Sequence, residues 1–399
     1  MTIRELIVVS LNGERRDDIR DDLAEVEIEE DVAAGSVFRL RLSTAALGDR
    51  SWRHLEDPDL AIWNQIAIRA GYPDNHEVLI DGFITHVNVA LSGSGAEESY
   101  IELTGGDATV LMDLQDKQVA WVNKKDSDIA QAIFDANKLA WEVEDTEFLR
   151  ADQIATTLQS ESDIRFLQRL AARNGFECFV SGRRGYFRTA NLQDPPQSPL
   201  TVPVGNLRAL RFAIDGTAPT ELEIRRFDPF EKREQREVLT ASPERALARR
   251  TLADLRGGAR HGRRMLRQQT AIAKQELRAR LRAGYADANG FAVASGEIDG
   301  RSYGAVLRAR RLVAIDGAGP SHSGHYYVTR VRHVFSGDDY VQSFDARRNA
   351  VGLLGTERFA PPLARPPINP GASAASSIDN RLLPPQQTSP IDAVTEGGL

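Results

Sequence analysis

"ITHVNVALSG", residues 84–93, aligns without a gap with "VTRVRHVFSG", residues 328–337. Ile84 meets Val328, Thr85 meets Thr329, Val87 meets Val331, Leu91 meets Phe335, and Ser92-Gly93 meet Ser336-Gly337. Upstream, "IAIRAG" (66–71) resembles "VAIDGA" (313–318), and each half runs on into a further strand, "SYIELT" in one and "DYVQSF" in the other. Val, Ile and Thr recur in any strand, so a chance match is the competing account. The better reading is two related antiparallel β-barrels, the second split by an insertion.

Working outward from that pair, residues 3 to about 110 read as short strands. "LIVVSLNGE" enters an Asn12-Gly13 turn, a strong hairpin signal, and "DLAEVEIEED" and "SVFRLRLST" alternate apolar with polar residues. Residues 116–199 change period. "KKDSDIAQAIFDANKL" offers Ser127 as an N-cap with Ile129, Ile133 and Phe134 on one face. "SESDIRFLQRLAARNGFECFV" places Ser160 and Asp163 as a capping-box-like start, Ile164, Leu167, Leu170 and Ala171 as an apolar stripe, and Asn174-Gly175 as a C-cap. "FECFV", "SGRRG" and "YFRTA" then read as a hairpin. Strands resume with "LTVPV", "LRALRFAID" and "PTELEIRRFDP", and return from about Phe291 to Phe344.

The predicted fold is therefore α+β and β-rich. Residues 1–115 form the first barrel, 116–199 a small α/β module, and 200–235 with 291–352 the second barrel. Residues 236–290 form a basic helical insertion, with Ser242-Pro243 as a helix start, and 353–399 a Pro-rich tail that cannot bury a core.

The chain has 399 residues, of ordinary globular composition, with a formal net charge of −7. Between Glu231 and Arg282 stand 15 Lys and Arg against six Asp and Glu, so the acidic remainder surrounds a strongly basic block. Leu6–Val9 is too short an apolar stretch for a signal peptide, and no run reaches membrane-spanning length, which predicts synthesis and folding in the cytoplasm. The single cysteine, Cys178, excludes an intramolecular disulfide and reads as a buried apolar thiol.

A search for chemistry finds little. His322 and His325 stand three apart but lack the further ligands a zinc site needs. Asp338 and Asp339 are adjacent and read as a tight turn. "LRGGARHGRR" lacks phosphate-loop spacing. No catalytic, cofactor-binding or metal residue is assigned, no cofactor is expected, and individual interface residues are left unknown. Arg249, Arg250, Arg263, Arg264, Arg267, Arg278, Arg280 and Arg282 admit three readings: a phosphate-binding surface, a partner interface, or a solvated face. Base-stacking aromatics are not interleaved with them, which disfavours nucleic acid as a partner.

Two stretches carry a family resemblance. "LQSESDIRFLQRLAARNGFECFV" (158–180) resembles the helix of the late control D family of phage tail proteins and of the hub half of valine-glycine-repeat spike proteins. "GHYYVTRVRHVFSGDDYVQSFDARRN" (324–349), with His333 and the closing Arg347-Arg348-Asn349, resembles that family's final strands. The resemblance implies a structural protein and no enzyme. It would be a baseplate hub of a contractile phage tail or injection system, a homotrimer between the inner tube and the spike and in contact with other baseplate subunits. A trimer of duplicated chains shows six similar units around one axis, suited to joining sixfold and threefold symmetry. Needle repeats and a lysozyme-like insert, which some relatives carry, are not found, so the spike is expected on a separate polypeptide. The rival functions are nucleic-acid binding through the Arg-rich block and peptidoglycan hydrolysis.

Overall fold

The computed structural model describes residues 7–359 apart from 73–74, 93–98, 150–155, 204, 229–231, 258–263, 269–273, 338, 356 and 358. Most of the predicted Pro-rich tail lies outside the described residues.

The first repeat opens with β1 (Ile7–Leu11) and β2 (Glu14–Arg15), joined by Asn12 (φ 51°) and Gly13 (φ 87°) in the left-handed region. That pair gives the two-residue turn whose twist matches an antiparallel hairpin. β3 (Leu23–Asp31), β4 (Val37–Ser43), β5 (Gln65–Tyr72), β6 (Asn75–Ala90) and β7 (Tyr100–Asp107) follow. Alternation sends Val26, Ile28, Leu40, Ile66, Ile68 and Leu103 into one core.

The α/β module begins after a short helix, α1 (Thr109–Met112). It contains β8 (Asp116–Trp121), α2 (Asp126–Ala136), β9 (Ala140–Val143), β10 (Thr157–Ser162), α3 (Asp163–Asn174), β11 (Glu177–Ser181) and β12 (Arg184–Arg188). The apolar stripe of α3 packs with Ile129, Ile133, Phe134, Cys178 and Phe187, and Gly175 (φ 74°) ends the helix as predicted. Two predicted caps fall elsewhere. Ser160 stays in the ladder opposite Gln118, because β10 remains paired with β8 as far as Ser162, and α3 starts at Asp163. Ser127 lies one residue inside α2, where its hydroxyl bonds Asp145 at 3.1 Å.

The second repeat is built from β13 (Gln197–Thr201) and β14 (Leu207–Ile214) and, after an insertion, further strands. The insertion holds β15 (Glu221–Asp228), β16 (Arg233–Leu239), α4 (Leu252–Leu255), β17 (Arg264–Gln268) and α5 (Lys274–Ala288). The repeat resumes with β18 (Ala292–Asp299), α6 (Gly300–Tyr303), β19 (Leu312–Asp316), β20 (Gly324–Ser336) and β21 (Asp339–Arg348).

The insertion corrects the sequence reading. It is mixed rather than helical: β15 pairs antiparallel with β16 and parallel with β17, and Leu277, Leu281 and Tyr285 of α5 cover Leu222 and Ile224. β15, predicted within the second barrel, therefore belongs to the insertion's own sheet. No helix starts at Ser242. Leu247 N–H donates to Asn349 Oδ1 at 2.9 Å, and Arg250 forms an isolated antiparallel bridge with Val351, so the segment after β21 holds that backbone out of a helix. Tertiary pairing has overridden helix propensity here.

The two repeats agree to the residue. In space the first runs β3-β4-β7-β6-β5 and the second β14-β18-β21-β20-β19, with the same chain order in both. Ile66 opposes Gly82 as Val313 opposes Tyr326, and Val87 opposes Leu103 as Val331 opposes Phe344. The ladder shifts at Thr85 in one copy and at Thr329 in the other. Each threonine hydroxyl donates across that bulge, to the Thr104 carbonyl at 3.2 Å and the Asp345 carbonyl at 3.1 Å. The β3–β4 shift at Ala24 is matched by the β14–β18 shift at Arg208.

Of the expected two antiparallel barrels, neither is closed among the described residues. Among the described residues the repeats share one open 13-stranded sheet, because the edge of β3 is taken by β20 of the other repeat. One pair within it, β13 with β19, is parallel. A second core, around Ile298, Leu307, Ile315, Tyr326, Val328 and Phe344, lies under the second repeat.

Candidate assembly interface

The seam between the repeats is the best-sealed part of the sheet. Arg330 to Ser336 of β20 oppose Asp31 to Glu25 of β3. On one face Arg332 binds Glu27 at 2.5 Å, Arg330 binds Glu29 at 2.8 Å, and Arg39 binds Glu25 at 2.6 Å. On the other face Val26, Ile28 and Glu30 meet Phe335, His333 and Val331. Glu30 is buried and takes Arg308 at 2.5 Å and the Ala309 N–H at 2.9 Å. Burial pushes its carboxyl up, and Arg308 with these bonds carries it below the usual carboxylate value. His333 is fully buried beside Tyr340, with Nδ1 3.1 Å from the phenol oxygen, and desolvation lowers it to about 4. It is held as a neutral imidazole.

Elsewhere the same positions stand open. β14 pairs only with β18, and the end of β6 beyond Ile84 pairs only with β7, among the described residues. The register makes Leu91 the counterpart of Phe335 and Val89 that of His333. Leu91 is 46% exposed where Phe335 is 1%, and Val89 is 43% exposed where His333 is 0%. On β14, Leu210, Phe212 and Ile214 are the counterparts of Val26, Ile28 and Glu30. Ile214 is 43% exposed where Glu30 is 3%. Exposed apolar residues on an unpaired strand edge are a pairing surface.

The sequence-predicted candidates do not gather into a site. His322 lies against Phe212, ring centroids 5.0 Å apart, and His325 is half-buried in β20. Asp339 binds Arg208 at 2.7 Å, and Asp338 lies outside the described residues. Burial pushes the Cys178 thiol up to about 12, as expected of an inert core cysteine. Within the basic block, Arg278 reaches Glu237, Arg280 reaches Glu276 at 2.7 Å and Arg282 reaches Glu147 at 3.1 Å. Arg263 is outside the described residues.

One cluster was not read from the sequence. Asp18, His54 and Asp57 bring ligand atoms within 4.8 Å of one another. Arg16 binds both carboxylates and also Asp59 at 3.1 Å, so a guanidinium already fills the place a cation would take. A cleft of about 620 Å³ separates the module from α5, lined in part by Glu144, Asn174, Arg188, Glu244 and Arg282.

This architecture is similar in fold to solved phage tail proteins. The tail protein of 43 kDa from prophage MuSo2 of Shewanella oneidensis shares 13% identity at TM-score 0.63, over 87% of this chain and 99% of its own. A tail protein from Neisseria meningitidis MC58 shares 12% at TM-score 0.61, over 86% and 96%. An Escherichia coli component of the type VI secretion system, itself similar to the bacteriophage T4 tail proteins gp27 and gp5, shares 13% at TM-score 0.53, over 82% and 73%. The Alg8 N-terminal domain model matches residues 7–337, and the chain belongs to that family. The family model is thus not that of late control D, and the likeness to the solved tail proteins is one of fold. No match is found among curated proteins.

Proposed function

We propose that the chain is a non-enzymatic structural subunit of the baseplate hub in a contractile phage tail or injection particle. Three copies form a ring joining a sixfold inner tube to a threefold central spike carried on another polypeptide. The observation that supports this is the duplication: two repeats with one strand order, matching bulges and matching registers. Three duplicated chains offer six similar units to a sixfold tube while keeping a true threefold axis for a spike. The repeats are read as barrel-like units of that ring, each over its own core. Its mechanism is binding and symmetry conversion, with no turnover. Arg278, Arg280 and Arg282 of the insertion are paired with carboxylates, which favours a structural role for that stretch over phosphate binding. Light scattering on the purified chain tests the reading. A species of three times 44.0 kDa is expected, and a monomer at all concentrations, with and without the tube and spike proteins, would overturn it.

A further inference from the structure

The seam between the two repeats is a template for a second seam that a single chain leaves unmade. β3 is the outer strand of the first repeat and pairs with the end of β20. The counterpart of β3 is β14, and the counterpart of the end of β20 is the end of β6. Among the described residues β14 pairs only with β18, and the end of β6 pairs only with β7.

We propose that copies of this chain join head to tail by antiparallel pairing of β14 of one copy with residues 86–91 of the next. This deepens the hub reading and rests on it. The internal seam fixes the register. Val26 opposes Phe335 and Ile28 opposes His333, so Leu210 falls opposite Leu91 and Phe212 opposite Val89. Glu30 opposes Val331, so Ile214 falls opposite Val87.

The side chains agree with that register. All three pairs on the covered face become apolar with apolar: Leu with Leu, Phe with Val, Ile with Val. A slip by one residue would set Arg211 against Val89 and send every apolar group to the other face. On the outer face Arg211 meets Ala90, Ala213 meets Asn88 and Asp215 meets His86, so no like charges oppose. The buried Glu30–Arg308 pair of the internal seam has no counterpart here, since Ile214 replaces the carboxylate. The intermolecular seam is therefore apolar where the internal one is ionic. A head-to-tail contact of this kind closes into a ring when its rotation permits.

The test pairs cross-linking with solution mass. V89C/F212C and, separately, V87C/I214C are oxidised in the full chain, with the wild-type chain controlling for Cys178. Covalent dimers and closed trimers are expected from each double variant, and dimers only from a mixture of V89C and F212C. V89C/R211C, one residue out of register, should give at least tenfold less product. Ile214→Asp changes a side chain that is exposed in the single chain, so circular dichroism should be unchanged while assembly weakens at least tenfold. A full-size trimer without in-register cross-links, or one insensitive to Ile214→Asp, overturns this seam and leaves the hub reading intact. A chain that never exceeds monomer mass and never cross-links overturns both.

Discussion

Ile28 and Phe212 hold the same place in two copies of one strand pattern, yet the first is sealed and the second half open. Phe335 and Leu91 differ in the same way, and so do Glu30 and Ile214. The residue types are not the cause, since all but Glu30 are apolar. A position on a sheet edge is buried or not according to whether another strand lies beside it. The comparison teaches that burial in this protein belongs to seams, and that the seam within the chain is fastened by buried polar contacts as well as apolar ones. Glu30 reaches Arg308 from 278 residues away, and Tyr327 reaches Glu177 of the module at 2.8 Å. Those contacts tie three parts of the chain into one body.

The largest break in the comparison should come from Phe335→Ala. Its ring stacks on Tyr340 with centroids 4.0 Å apart, inside the first core. Removing it should cost about 3–5 kcal/mol, read as a fall in the urea midpoint at low protein concentration. Leu91→Ala, at the counterpart position, should change the dissociated chain by no more than about 0.5 kcal/mol. Equal costs would mean that the open edge is already covered within one chain.

Glu30→Gln should follow, at about 3 kcal/mol. It leaves the Arg308 guanidinium enclosed with only Glu77, 3.5 Å away, as counter-charge, and breaking a buried pair from one side is expensive. Ile214→Gln at the counterpart should be close to neutral in the same assay, because that side chain already meets water.

His333→Val replaces the buried imidazole with the residue the other repeat carries at Val89, and it sharpens the comparison through pH. In the folded chain His333 takes a proton only near pH 4, whereas an unfolded histidine does so near 6.5. The unfolded state thus binds the extra proton between those values. Stability from the neutral ring is complete above about pH 6.5 and is lost as pH falls toward 4, by about 3 kcal/mol in all. Glu30 also loses stabilisation in acid, but it does so in both proteins. The difference between wild type and His333→Val should therefore change across pH 6.5 to 4, and a constant difference would show that His333 is not held neutral.

Much of this was legible in the sequence. The gapless match of 84–93 with 328–337 survived because both copies keep one register and one bulge, so strand spacing was never disturbed. The Asn12-Gly13 turn and the stripe of α3 were readable because they depend on neighbours a few residues away. The seams were not, since nothing local distinguishes a strand that will find a partner from one that will not. The insertion misled for a related reason: Arg, Leu and Ala around 242–268 favour a helix, but β15 and residues 349–351 were there to pair with the backbone. The Arg16 cluster joins two short stretches, residues 16–18 and 54–59, that stand 36 positions apart, with no spacing signal to link them.

The smallest effect tests whether the duplication carries stability as well as shape. Thr85 and Thr329 sit at matching bulges and donate matching hydrogen bonds. Valine keeps the β-branched shape and removes the donor, so Thr329→Val should cost about 1 kcal/mol, a typical net value for one such bond. Thr85→Val should cost the same within a few tenths in the dissociated chain, because both bulges lie inside ladders paired to the following strand. Unlike the core substitutions, these two should not differ between repeats. A larger loss at Thr85 would show that its second contact, to His86 Nδ1 at 2.9 Å, has given the first bulge a task its copy lacks. That contact lies within one chain, so the excess should then appear in the dissociated protein as well.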